Sequence, residues 1–95
     1  MTSAQFADSL TAAAPPAELS PPLRALWWDA KGDWPQAHAQ VDELDTRDAM
    51  AVHAYLHRKE GATSNANYWY ARSTTAHRRP TLEAEHSALL DALLA

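Results

Sequence analysis

His53, His57 and Glu60 fall at i, i+4 and i+7 of a stretch with helical periodicity. One stripe of a helix then carries two imidazoles and a carboxylate, groups that can hold Zn²⁺ or move protons near neutral pH. A competent metal site needs three or four donors arranged around the ion, and nothing else in the sequence obviously converges on these three. The expectation is therefore a solvated or hydrogen-bonded polar stripe with no metal or other cofactor, and His53, His57 and Glu60 stand as the alternative ligand set. A Gly-rich phosphate loop, a nucleophile elbow and paired catalytic carboxylates are all missing, so enzyme activity has no positive motif behind it. Arg72, His77, Arg78 and Arg79 form a basic cluster, which reads as a solvated connector in a chain that is acidic overall.

Helices must position these groups, because 21 of the 95 residues are Ala and 11 are Leu, against two Val and no Ile. An all-α domain follows. Ala fills little space, so the bulk of a core falls to the Leu residues and to Trp27, Trp28, Trp34, Tyr55, Tyr68, Trp69 and Tyr70. The net charge of -4 opposes non-specific attraction to nucleic acid or anionic lipid. With no cysteine, disulfides and thiolate chemistry are excluded. The N-terminal residues lack a basic region followed by an apolar run, and no stretch reaches membrane-spanning length, which gives a cytoplasmic reading with no membrane partner.

Residues 1–20 read as an N-terminal arm or short helix, with Phe6 and Leu10 to bury and Pro15-Pro16 to end it. Ser20 and Pro21 open a first main helix over about 21–31, closed by Gly32. Asp33 caps a second, whose apolar positions Trp34, Ala37, Val41 and Leu44 recur at helical spacing. Asp45 and Asp48 offer the start of a third, running through Val52 and Leu56 to Gly61. Ser64 is the expected cap of a fourth, with Ala66, Trp69, Tyr70 and Ser73 on one face. Two antiparallel hairpins, about 21–44 and 46–75, then precede a capping helix over about 81–94 that bears the stripe Leu82, His86, Leu89, Leu90 and Leu93.

Gly32 and Gly61 are 29 residues apart, and that offset also sets Ala25 on Ala54 and Ala37 on Ala66, as in two copies of one hairpin. Lys31-Gly32-Asp33-Trp34-Pro35-Gln36-Ala37-His38, with Glu60-Gly61 and Asn65-Ala66-Asn67-Tyr68-Trp69-Tyr70, resembles tetratricopeptide-type and Sel1-type helical repeats. The Trp-Trp, His-Arg-Lys-Glu-Gly and Tyr-Trp-Tyr segments are also similar to those of a group of small bacterial proteins with no assigned activity.

Such repeats line one surface with equivalent faces of their first helices, and the offset pairs His53, His57 and Glu60 with Arg24, Trp28 and Lys31. A shared binding patch of Arg24, Trp28, Lys31, His53, His57 and Tyr68 is the resulting expectation. The resemblance implies an interaction module for a protein or peptide partner, or for a second copy of the chain as a homodimer. If Trp34 fills the groove of the first hairpin, Trp34→Ala lowers stability by ~3–5 kcal/mol, and an unchanged melting curve would sink that placement.

Overall fold

Six helices form the described residues, 1–74 and 77–95, of the computed structural model, and each boundary has a local cause. The first, α1 (Ser3–Ser9), opens on a capping box in which the Thr2 side chain accepts from the Gln5 amide while the Gln5 side chain accepts from the Thr2 amide. Its buried residue is Phe6. The next, α2 (Pro21–Ala30), places both prolines in its first turn. Ser20 makes no side-chain cap there, and Pro22 has removed one of the two amides, at the second and third helical positions, that a cap would serve. Gly32, at φ 79°, turns the chain in the left-handed conformation that glycine adopts without steric penalty.

Asp33 caps α3 (Trp34–Ala39) by accepting from the Gln36 amide. This helix is shorter than its apolar spacing suggests, because the Val41 and Asp42 amides both fold back onto the carbonyl of His38 and residues 40–43 continue as turns. Val41 is nevertheless fully buried. The long helix α4 (Arg47–Glu60) is capped by Thr46, which accepts from the Ala49 amide, rather than by Asp45 or Asp48. Asp48 instead sits in the first turn, where its charge complements the helix dipole. Gly61, at φ 86°, closes the helix.

Ala62 holds the cap position of α5 (Thr63–Ser73) without a side-chain bond, so the expected cap Ser64 lies inside the first turn. The expected end of this helix near residue 75 lies outside the described residues. Thr81 caps α6 (Leu82–Leu94) by accepting from the Ala84 amide.

The most extensive helix pair is α4 with α5, the next is α2 with α3, and α6 lies across α4 and α2. Small residues permit these approaches: Ala25, Ala37, Ala49, Ala54 and Ala66 are all buried. Leu26, Trp27, Val41, Val52, Leu56 and Leu89 fill the space between. Phe6 and Leu19 join the same core, so the first twenty residues fold onto the helices. Among the described residues, no helix is long and apolar enough to cross a membrane.

Two buried carboxylates tie the helices together, each with its partners. Asp29 accepts from the Tyr55 hydroxyl at 2.6 Å and from Lys59 Nζ at 2.7 Å, joining α2 to α4. Glu85, fully buried, accepts from Arg58 Nη1 at 2.5 Å and from the Tyr70 hydroxyl, joining α6 to α4 and α5. Removing one partner of a buried ion pair costs about 3–5 kcal/mol. Arg58 keeps a quarter of its side chain in water, so Glu85→Ala is expected to cost somewhat less, about 2–4 kcal/mol. A urea midpoint within error of the parent chain would show that the carboxylate adds nothing net.

Candidate functional site

Trp34 and His38 are four residues apart on α3 and therefore share a face. Trp34 Nε1 donates to the carbonyl of Leu56 at 2.8 Å, which presses that face against α4. His53 and His57, four residues apart on α4, look back at it. The result is a cluster of three imidazoles, His38, His53 and His57, each offering a ring nitrogen within 4.8 Å of the others.

The contacts within the cluster are specific. His38 Nε2 and His53 Nε2 are 3.0 Å apart, within hydrogen-bond distance. His57 Nδ1 donates to Glu60 Oε2 at 2.6 Å, so its Nε2 is the ring nitrogen turned away from that carboxylate. Asp42 Oδ2 stands 4.0 Å from His38 Nδ1, the nitrogen on the far side of that ring from His53. Indoles wall the cluster: Trp34 stacks on His38 with centroids 4.8 Å apart, and Trp69 stacks on His53 at 4.2 Å. Imidazoles of His53 and His57 stack on each other at 4.7 Å.

Burial sets the charge state. Loss of water is the largest influence on His53 and pushes its pKa down to about 4, with the neighbouring His38 and His57 lowering it further and Asp42 opposing them. His38 is also lowered, first by burial and then by His57, against the opposing charges of Asp42 and Glu60. Both rings are neutral at pH 7, the form that donates a lone pair to a metal. His53 Nδ1 is buried without a hydrogen-bond partner. An unsatisfied polar atom of this kind is uncommon in a finished core.

A tetrahedral zinc with Zn–N bonds of about 2.0–2.1 Å keeps its nitrogens roughly 3.3 Å apart. His38 and His53, at 3.0 Å, stand close to that spacing, and the cluster's nitrogens all lie within 4.8 Å of one another. The pairing of His57 with Glu60 is the carboxylate–histidine arrangement that commonly fixes the tautomer and ring angle of a metal ligand. Of the alternative ligand set read from the sequence, His53 and His57 therefore lie in the cluster, Glu60 orients His57 from outside it, and His38 supplies the third imidazole. The sequence signal for His38 is its position one turn after Trp34, which points both at whatever α3 packs against.

The other expected binding residues have different surroundings. Arg24 donates to Gln40 Oε1 at 3.1 Å and to the carbonyl of Leu19 at 2.6 Å. Lys31 Nζ donates to the carbonyls of Leu10 and Ala12 at 2.7 and 3.1 Å and lies over the Trp27 ring. Both cations thus tie the N-terminal segment down. Trp28 packs edge-on against Trp27 and is half-buried. Tyr68 is 56% exposed, edge-on to Trp69 and beneath the Arg72 guanidinium.

In the metal-free chain, stability depends on keeping His53 neutral. The unfolded imidazole takes up a proton near pH 6.5 and the folded one only near pH 4, so the unfolded chain binds more protons between these values. Stability from this residue is complete above pH 6.5 and is lost as pH falls towards 4. Chemical denaturation at pH 7 and pH 4.5 is expected to show roughly 2–3 kcal/mol more loss for the parent chain than for His53→Gln. Equal losses in the two chains would contradict a neutral, buried His53.

Among protein-family models, curated proteins and solved structures, none matches this chain, so the three-imidazole cluster is the ground on which its function is read.

Proposed function

We propose that this protein binds a divalent transition-metal ion of the zinc class through His38, His53 and His57. The observation that carries this reading is the convergence of the three ring nitrogens within 4.8 Å of one another, between α3 and α4. Three imidazoles suit zinc, copper or nickel and are poor ligands for calcium or magnesium, which prefer oxygen. Glu60 supports the site by accepting from His57 Nδ1, and the neutral state of His38 and His53 spares them deprotonation on binding. The ion's structural effect is to fasten the short helix α3 to α4.

A second reading, an interaction module with a tetratricopeptide- or Sel1-like arrangement of two tandem hairpins, is favoured by two features. Helices α2 and α3, and then α4 and α5, pair with their neighbours in sequence. The exposed Tyr68, with Arg72 above it, offers a recognition surface for a protein partner or a second copy of the chain.

Calorimetric titration of the purified chain with Zn²⁺ tests the first reading. One ion per chain is expected, and an ion present at a hundred times its dissociation constant adds about 2.7 kcal/mol of stability. For a domain of this size that corresponds to a melting point higher by roughly 10 °C or more. His38→Ala is expected to weaken binding by at least about 100-fold, beyond the roughly 10–100-fold that loss of an outer-shell partner costs. Retention of full affinity in His38→Ala would overturn the assignment.

A further inference from the structure

Resting on the metal reading above, we propose that the ion's coordination is left open: the three imidazoles hold it, and its remaining position takes a small anion or a water from solution. Among the described residues, the convergent donors number three, whereas a tetrahedral ion takes four ligands. The two nearby carboxylates address the outer faces of the imidazoles. Glu60 Oε2 is engaged by His57 Nδ1 at 2.6 Å, and Asp42 Oδ2 lies 4.0 Å from His38 Nδ1, opposite the Nε2 that meets His53. For Glu60 to become the fourth ligand it would have to give up the short bond that orients His57.

Enclosure of the cluster is one-sided. His53 is 3% exposed and has Trp69 stacked on it, and His57 is buried beside it. On the opposite edge the side chains of His38, Glu60 and Asp42 are 25%, 38% and 43% exposed. The open position is assigned to that edge, between α3 and the end of α4. A structural zinc site is closed by four protein ligands, whereas one with three protein ligands keeps its last position for an exchangeable group.

Charge then selects what enters. Neutral imidazoles leave the two positive charges of the ion uncompensated, unlike thiolate or carboxylate ligands, and a partly buried site strengthens the attraction for an anion. Glu60 and Asp42 offset part of that charge from outside the coordination sphere, which disfavours large polyanions. The class that fits is a compact monoanion with a nitrogen or oxygen donor, such as azide or a small carboxylate.

Co²⁺, whose visible absorption reports coordination, is the probe. The full chain is loaded with Co²⁺ and titrated with sodium azide, while bound cobalt is counted after ultrafiltration. One Co²⁺ per chain is expected, with a saturable shift of the visible spectrum on addition of one azide and no loss of cobalt. In Glu60→Gln the azide response persists while Co²⁺ affinity falls about 10–100-fold, as for an outer-shell partner. In His38→Ala both the stoichiometric cobalt and the response disappear. One bound Co²⁺ whose spectrum ignores azide would overturn the open position and leave the metal reading intact. Azide that strips the cobalt instead of shifting its spectrum would also overturn the open position. A chain that binds no Co²⁺ would overturn both.

Discussion

The contact between α3 and α4 is the constraint on which the site depends. A helix of six residues has little stability of its own, so α3 is held by what its faces touch. Ala37 packs into the core, and Trp34 reaches across to the Leu56 carbonyl at 2.8 Å. Trp34 also stacks on His38, which fixes that imidazole against His53 and His57. The tryptophan therefore serves at once as packing, hydrogen-bond donor and wall of the histidine cluster. Placing three imidazoles between two helices is unfavourable if they must ionise, and the surrounding burial holds His38 and His53 neutral.

Polar burial follows a different logic elsewhere in the core. Asp29 and Glu85 are as deeply buried as the leucines around them, yet each accepts two bonds from donors on neighbouring helices. These carboxylates read as cross-links that fix how α2, α4, α5 and α6 sit together. His53 departs from this pattern, because its Nδ1 has no partner and its Nε2 has only another imidazole. The nitrogen of His53 that faces the other imidazoles is Nε2, and it is this one that the proposed ion would engage.

Much of the helical layout was legible in the residues themselves. Pro21, Gly32, Gly61 and Thr81 fix backbone geometry locally, and the helix ends fall where they predict. Val41 shows why α3 ended earlier than its spacing implied: apolar periodicity reports burial, and a buried residue can sit in a turn as readily as in a helix. Thr46 and Ser64 show that the choice among several adjacent capping residues rests on geometry that composition does not carry. In the site, the spacing of His53 and His57 on one helix was visible, whereas His38 is fifteen residues away and joins them through tertiary packing alone. Arg24 and Lys31 were expected in a binding patch, and the backbone carbonyls they bond become their neighbours only after folding.

X-ray absorption at the zinc edge on the Zn²⁺-loaded chain tests the central claim most directly, since it counts the ligands around the ion. The account predicts three imidazole nitrogens and one further light donor, all at about 2.0–2.1 Å. A first shell dominated by oxygen, or one with fewer than three imidazoles, would contradict it.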